Sequence, residues 1–260
     1  MPKALIFDVD GTLADTERDG HRIAFNSAFA DAGLKWRWDV DTYGRLLAVA
    51  GGKQRLLHYL QTATPELLPS EQVKLVESLH ARKTEHYLKL MERGGIELRP
   101  GVARLLAEAQ HRGIRLAIAS TTTRANVDAL LQRKLPHLSA AFSVIGAADD
   151  AQRMKPDPQV YRVVLERLRL AAQECIAIED SPAGLHAALN AGIATVVTVN
   201  AYTDMYDFDG ALAVVSDLGE PDAPARSLAG PALAGPCVDL PQLVAWHTGA
   251  TISGESAPRT

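Results

Sequence analysis

The sequence predicts an α/β fold in which a doubly wound parallel sheet carries an inserted α-helical domain. Three observations support this prediction. Short apolar runs alternate with helical patterns, these runs are apolar throughout rather than at every second residue, and one connection is too long for a single crossover. Continuous apolar runs are typical of strands that are buried on both faces, as they are in a parallel sheet.

The predicted strands are short runs rich in β-branched and aliphatic residues. The clear runs cover 4–8, 114–120, 142–147, 175–180 and 194–199. A weaker run at 212–217 is a further candidate. Because helical patterns separate the later runs, neighbouring strands should be parallel and joined by helices.

The helical patterns between these runs have recognisable ends. Gly113 and Gly192 are suited to end a helix, and Ser181 followed by Pro182 is suited to begin one. We predict helices over 102–113, 126–135, 158–170 and 181–192, and a last helix over 240–247.

The connection from Asp8 to Ile114 is more than a hundred residues long and contains several helical patterns. A single crossover does not need that length. We therefore predict a helical cap domain over 16–96, inserted into a core formed by 1–15 and 97–250. The last residues, 251–260, are small and polar, and we expect a disordered tail there.

Composition excludes several classes of protein. The chain has 260 residues, a formal net charge of −4 and two cysteines, Cys175 and Cys237. It has no global basic field for nucleic acid, and too few cysteines for a disulfide framework or a structural zinc site. No apolar run approaches the roughly 20 residues of a membrane helix, and we expect no signal peptide, because the first strand is predicted to begin by residue 3 or 4. We expect a cytoplasmic monomer that binds neither nucleic acid nor membranes.

Polar residues cluster where the predicted strands end. In a doubly wound sheet, ligands bind outside the carboxyl ends of the strands. The residues at or just beyond these ends are Asp8, Asp10, Ser120, Thr121, Lys155, Glu179 and Asp180. Each alone is common in a turn or at the start of a helix, but together at one edge they predict a site.

These residue types fit phosphoryl transfer. Asp8 and Asp180, with the backbone carbonyl of Asp10, offer the hard oxygen ligands that Mg²⁺ prefers. Asp8 can attack phosphorus, and Asp10 can protonate the leaving oxygen and then take a proton from water. Ser120 and Lys155 can hold the phosphoryl oxygens. We expect Glu179 to lie near the metal without binding it directly.

Two features of the predicted cap suit an anionic ligand. In 50–55, two glycines allow close approach of the backbone, and Lys53 and Arg55 can bind anionic oxygens. An ordinary turn between helices explains that stretch equally well. Lys83 falls on the apolar stripe of a helix predicted over 70–91. Such a lysine either extends its ammonium to solvent, which the sequence alone favours, or contacts a ligand.

Four motifs resemble those of the haloacid dehalogenase superfamily. They are DVDGT at 8–12, the strand-ending Ser120, KPDP at 155–158 and IED at 178–180. Their order and spacing match, and the resemblance covers about residues 3–200. It implies a Rossmann-like core, a Mg²⁺-dependent aspartyl-phosphate mechanism and a helical cap inserted after the first motif.

A closer resemblance, to the CbbY branch of this superfamily, rests on 15–29, 38–55 and 80–87. Members of that branch hydrolyse xylulose-1,5-bisphosphate, an inhibitory by-product of Rubisco in carbon fixation, to xylulose-5-phosphate. The resemblance implies a small phosphorylated sugar as the substrate and a set of cap residues near it. These are Glu17, His21, Arg22, Gly51, Gly52, Lys53, Arg55 and Lys83.

Asp10 limits the reactions that the resemblance allows, because relatives that cleave carbon–halogen or carbon–phosphorus bonds lack an aspartate at this position. Its presence favours a phosphatase or a phosphomutase. A sugar-bisphosphate phosphatase, a β-phosphoglucomutase-type enzyme and a broad sugar-monophosphate phosphatase all stay open. A non-catalytic sensor or scaffold with the same fold is the alternative from another class. The intact acid–base residue Asp10 argues against it, since a binding protein has no use for one.

Overall fold

The computed structural model describes residues 1–49, 51–64 and 67–254. The chain divides into two compact units. The core unit consists of Met1–Ala14 and the residues from Leu98 onward, and the cap unit consists of Asp15–Glu97. None of the helices in the described ranges combines the length and apolarity that a bilayer span requires.

Among the described residues, the strands are β1 (Ala4–Phe7), β2 (Arg115–Ala119), β3 (Phe142–Gly146), β4 (Cys175–Glu179), β5 (Ala194–Thr198), β6 (Ala213–Val215) and β7 (Ser227–Ala229). They form one sheet in the order β3-β2-β1-β4-β5-β6-β7. Strands β1 to β6 are parallel, and β7 pairs with β6 in the antiparallel direction. The predicted fold class, a Rossmann-like parallel sheet with helices between its strands, is confirmed.

Strand β1 lies in the middle of the sheet, between β2 and β4. Ile6 pairs with Ala117 on one side and with Ala177 on the other. All four residues of β1 are fully buried, which explains why this run is apolar throughout. The carboxyl ends of β1, β2 and β4 therefore meet at one edge of the sheet.

The α-helices in the described ranges are α1 (Arg22–Asp31), α2 (Val40–Leu46), α3 (Gly52–Ala63), α4 (Pro69–Glu92), α5 (Val102–His111), α6 (Arg124–Lys134), α7 (Gln159–Leu168), α8 (Pro182–Asn190) and α9 (Leu240–Gly254). Ser181 caps α8 as predicted, because its hydroxyl accepts the Gly184 N–H at 3.1 Å. Helix α9 continues to Gly254, so the first residues of the predicted disordered tail are helical. Residues 255–260 of that tail lie outside the described residues.

Strand β7 was not predicted. All three of its residues are exposed, and Leu228 keeps 47% of its surface accessible. A strand that buries no side chain leaves no apolar pattern in the sequence, and only its pairing with β6 defines it.

The cap unit is built around a fully buried aromatic cluster. Phe25 and Phe29 of α1 lie 4.8 Å and 4.9 Å from the ring of Trp38, centroid to centroid. The Asn26 side chain donates to the Trp38 carbonyl at 2.8 Å and accepts the Trp38 N–H at 2.7 Å. Tyr43 of α2 completes the cluster. These contacts hold α1 and α2 together, and several of the predicted site residues lie on or directly before α1.

Candidate active site

Lys155 contacts residues that belong to or adjoin the other predicted motifs of the core unit. Its ammonium donates to Asp8 Oδ1 at 2.6 Å, to Glu179 Oε1 at 2.6 Å and to the Ala119 carbonyl at 2.8 Å. Lys155 precedes Pro156 in a loop between β3 and α7, and the peptide bond between them is cis. The side chains of Lys155, Asp8 and Glu179 are all buried, so the charges of the lysine and the two acids interact strongly in a medium of low dielectric constant. The structure thus brings together the ends of β1, β2 and β4.

Burial and crowding set the charge of these groups. Burial raises the pKa of Asp8 well above its ordinary value, and the ammonium of Lys155 acts in the opposite direction. Burial lowers the pKa of Lys155, but the Asp8 and Glu179 carboxylates outweigh that effect and raise it. Burial and the Glu179 carboxylate raise the pKa of Asp180 to about 8. Lys155 is therefore a permanent cation among acids whose ionised forms repel one another.

The acids at this edge fit a divalent cation. Asp8, Glu179 and Asp180 each offer a carboxylate oxygen within 4.8 Å of the other two, and all three residues are buried. Glu179 already accepts hydrogen bonds from Lys155 and, at 2.5 Å, from the Tyr161 hydroxyl. Asp8 and Asp180 are consequently the better direct ligands. The half-buried Asp10 is outside this carboxylate group.

Ser120 follows β2 and is held by the backbone around it. Its N–H donates to the Gly146 carbonyl at 3.0 Å, and its hydroxyl oxygen accepts the Thr122 N–H at 3.2 Å. The Asn126 amide in turn donates to the Thr122 hydroxyl at 3.1 Å. With its oxygen used as an acceptor, the buried Ser120 hydroxyl can direct its hydrogen to an incoming oxygen. Thr121, the next residue, is half-buried.

In the cap unit, Glu17 and Arg55 meet through Tyr43. The Tyr43 hydroxyl donates to Glu17 Oε2 and accepts from Arg55 Nη1 at 2.9 Å. Arg55 also donates to the Leu46 carbonyl at 3.1 Å, and its guanidinium lies 3.8 Å from Glu17 Oε2. Arg55 is buried, so its guanidinium organises the cap rather than extending from it. For Arg55, this burial does not fit an ordinary turn whose basic residues face solvent, and its binding of anionic oxygens stays a prediction.

Lys83 is buried, with only 5% of its surface exposed. Its ammonium lies 5.3 Å from the ring centroid of Phe25 and 5.2 Å from that of Tyr87, which is the geometry of cation–π contacts. The Tyr87 ring also contacts the buried His21 ring, at 4.3 Å between centroids. The expectation that Lys83 extends its ammonium to solvent is therefore wrong.

The glycine-rich turn of the cap packs against a histidine. A Cβ at Gly52 would lie 3.0 Å from His80 Nε2, so the glycine lets α3 approach that ring. Burial, assisted by the charges of Lys83 and Lys53, lowers the pKa of His80 to about 4. Gly51, at the start of α3, has a positive φ of 85°, which favours glycine.

Further observations concern residues that the sequence places in the cap site. Lys53 is exposed, and Arg22 is half-buried at the start of α1. The Arg22 Nε is buried without a hydrogen-bond partner among the residues that the structure describes. Ala50, the first residue of the predicted anion-binding stretch 50–55, lies outside the described residues.

Comparison with known families identifies the family to which the chain belongs. The family model for haloacid dehalogenase-like hydrolases matches residues 2–192. The chain belongs to the haloacid dehalogenase-like hydrolases. The CbbY protein encoded on a plasmid of Cupriavidus necator is 51% identical to this hydrolase over 255 residues, 96% of this chain and 98% of that protein.

Solved structures agree with this family assignment. The crystal structure of CbbY from Rhodobacter sphaeroides in complex with phosphate has a TM-score of 0.77 and 42% identity, covering 84% of this hydrolase and 95% of that chain. A variant of the same protein in complex with xylulose-1,5-bisphosphate has a TM-score of 0.76 and 41% identity over the same shares. The predicted resemblance to CbbY is confirmed, and this hydrolase is a phosphatase.

Several residues around the site were not predicted. In the core unit they are Arg99, Tyr161 and Asn200, and in the cap unit they are Tyr43 and His80. In the sequence, Tyr161 is one more residue on the apolar face of α7, and Asn200 is an ordinary turn residue after a strand. Arg99 is buried and donates to several backbone carbonyls, and no pattern in the sequence distinguishes it from a surface arginine.

Proposed function

We propose that this phosphatase is a Mg²⁺-dependent sugar-bisphosphate phosphatase, and that it hydrolyses xylulose-1,5-bisphosphate to xylulose-5-phosphate and phosphate. The observation that carries the proposal is the buried contact of Lys155 with Asp8 and Glu179 beside Asp180. It supplies a carboxylate nucleophile, a cation for phosphoryl oxygens and an oxygen-rich site for a metal. The substrate is proposed from the similar CbbY protein whose structure contains that sugar bisphosphate.

The reaction has two displacement steps. In the first, a carboxylate oxygen of Asp8 bonds to phosphorus, the bond from phosphorus to the sugar oxygen breaks, and Asp10 gives its proton to that oxygen. In the second, Asp10 takes a proton from a water molecule, whose oxygen bonds to phosphorus and releases Asp8 as a carboxylate. Ser120 and Lys155 hold the phosphoryl oxygens in both steps, and the neighbouring Thr121 contributes to the same group.

The groups that would hold the metal are the carboxylates of Asp8 and Asp180 and the backbone carbonyl of Asp10. When bound, Mg²⁺ would offset the repulsion among the carboxylates and neutralise charge on the transferred phosphoryl group. Glu179 holds Lys155 in place instead of binding the metal directly, because its carboxylate is already engaged by Lys155 and Tyr161.

The cap unit recognises the rest of the sugar phosphate. Glu17 accepts hydrogen bonds from sugar hydroxyls, and Arg55 acts on the substrate through Glu17, which it helps to hold. Cationic groups and backbone of the cap bind the second phosphoryl group. The residues assigned to that role are Arg22, Gly51, Gly52, Lys53 and Lys83, and His21 is assigned only a place near the substrate.

Phosphate release tests this proposal. The substrates are xylulose-1,5-bisphosphate, ribulose-1,5-bisphosphate, fructose-1,6-bisphosphate and β-glucose-1-phosphate, each with Mg²⁺ and with EDTA. We expect Mg²⁺-dependent release and a clear preference for the xylulose compound. Isomerisation of glucose phosphate without net phosphate release would support a phosphomutase instead, and equal slow turnover of all four would contradict the assigned substrate.

A further inference from the structure

The chain after β5 directs a side-chain amide at Asp180. Asn200 Nδ2 donates to Asp180 Oδ2 at 2.7 Å and lies 3.5 Å from the carbonyl oxygen of Gly11. Asn200 therefore contacts both a carboxylate of the proposed metal site and the loop that follows the proposed nucleophile Asp8.

The orientation of this amide is determined by its surroundings. Asn200 Oδ1 accepts the Tyr202 N–H at 2.9 Å, and the Asn200 N–H donates to the Thr203 hydroxyl at 3.0 Å. The Asn200 carbonyl accepts the N–H groups of Thr203 and Asp204 at 2.9 Å and 3.0 Å. A flipped amide would set its oxygen against the Asp180 carboxylate and its NH₂ group against the Tyr202 N–H. Only the NH₂ group can therefore face Asp180.

Gly11 closes this arrangement from the other side. It has a positive φ of 87°, and a Cβ there would lie 2.3 Å from Asp180 Oδ2 and 2.7 Å from Asn200 Nδ2. The Gly11 carbonyl also accepts from Arg99 Nη1 at 2.5 Å, and Arg99 donates to the Ser216 carbonyl at 2.9 Å as well. The Asp180 carboxylate is thus held between a glycine and an amide that have little room to move.

We propose that Asn200 is a positioning residue for the metal site: by holding Oδ2 of Asp180, it leaves Oδ1 as the oxygen that binds a divalent cation. This inference rests on the proposed function, which assigns Asp180 to Mg²⁺. Partners of this kind orient the ligands of a metal and raise its affinity without touching it. The competing explanation is that Asn200 serves only to shape the turn at 200–204.

Two substitutions separate these explanations. Asn200→Ser keeps a hydroxyl oxygen that can accept a hydrogen bond within the turn, but its side chain is too short to reach Asp180. Thr203→Ala removes the acceptor of the Asn200 N–H and leaves the amide at Asp180 in place. Asn190→Ala, on the exposed end of α8, is the surface control.

Binding of Mg²⁺ to each full-length variant is measured by isothermal titration calorimetry without substrate. We expect Asn200→Ser to bind about 10- to 100-fold more weakly, while Thr203→Ala and Asn190→Ala stay within about 2-fold of wild type. In phosphate release, the Mg²⁺ concentration for half-maximal rate should rise in parallel. The KM for the sugar bisphosphate at saturating Mg²⁺ should stay nearly constant.

Equal affinity of Asn200→Ser and wild type would overturn the inference, and so would an equal loss in Thr203→Ala, which would show that only the turn matters. If Asn200→Ser does not fold, Asn200→Ala is measured in the same way. A wild-type protein that binds no Mg²⁺ and releases phosphate equally well in EDTA would overturn the proposed function together with the inference. Normal wild-type binding with an unchanged Asn200→Ser variant would overturn the inference alone.

Discussion

Gly184 lies directly against the carboxylate of Glu179, so that a Cβ at Gly184 would be 1.9 Å from Glu179 Oε2. The contact forms because Gly184 is in the first turn of α8, immediately beyond the end of β4. The other oxygen of Glu179 holds Lys155. The position of the ammonium that faces Asp8 therefore depends on the absence of a side chain on α8.

In Gly184→Ala, the new methyl group would overlap the Glu179 carboxylate and force it to move. Because Glu179 is fully buried and closely packed, this movement should be unfavourable. We expect a loss of about 1–3 kcal/mol in the free energy of unfolding, together with a fall in kcat. Urea denaturation and phosphate release measure the two effects. Gly235→Ala is the matched control, since a Cβ there would meet no atom within 4 Å. Wild-type behaviour of Gly184→Ala would contradict the tight contact.

Lys155→Met should reduce both the stability and the activity of the protein by more than its small change in side-chain volume suggests. It leaves the carboxylates of Asp8 and Glu179 buried beside each other without the cation between them. Removal of one partner from a buried pair costs about 3–5 kcal/mol, and kcat should fall close to the limit of detection. Denaturation and activity are compared with Lys74→Met, on an exposed part of α4. A stable Lys155→Met variant with normal turnover would exclude Lys155 from the mechanism.

The sheet and the polar residues at its edge could be predicted because they follow from local rules. A strand buried on both faces, such as β1, is apolar throughout, and topology alone brings the carboxyl ends of parallel strands together. Asp8, Ser120 and Asp180 could be placed in this way. Strand β7 could not, because its exposed residues carry no such pattern.

The cap was harder to predict because its contacts join residues that are distant in the chain. Arg55 could have been a surface cation, but its contacts with Tyr43 and Glu17, from two other segments, make it an internal one. Lys83 is buried because Phe25 of α1 and Tyr87 of α4 together enclose its ammonium. Neither arrangement can be derived from the period of a single helix.

Asp10→Asn should separate an enzyme from a binding protein with the same fold. The amide cannot give or take the proton, so we expect turnover to fall by about 10²- to 10⁴-fold. Asp10 is half-buried, and its replacement by a residue of the same shape should leave the thermal midpoint nearly unchanged. Turnover is measured by phosphate release, and retained ligand binding by calorimetry with the sugar bisphosphate. Undiminished turnover would exclude Asp10 as the acid–base residue.

Tyr43→Phe tests whether the cap prepares Glu17 for its substrate. The change removes a hydroxyl that donates to Glu17 and accepts from Arg55, and it leaves the aromatic cluster intact. Because hydrogen bonds to charged groups are worth about 1.5–3 kcal/mol, we expect the KM to rise roughly 10-fold or more with a smaller effect on kcat. Tyr59→Phe is the control, because the Tyr59 ring also contacts Trp38, at 5.2 Å between centroids. Equal effects of the two substitutions would show a role in packing only.

His80 should make the stability of the protein sensitive to mild acid. Its pKa is lowered from 6.5 to about 4 in the folded state, chiefly by burial. Between these values the unfolded chain binds a proton that the folded one does not, so the free energy of unfolding decreases as the pH falls through this window. His80→Gln should remove this contribution, on the order of 1 kcal/mol because solvent partly screens the ring. Urea denaturation at pH 7 and pH 5, compared with the exposed His58→Gln, measures it. If wild type and His80→Gln lose the same stability between the two pH values, His80 does not titrate as its surroundings require.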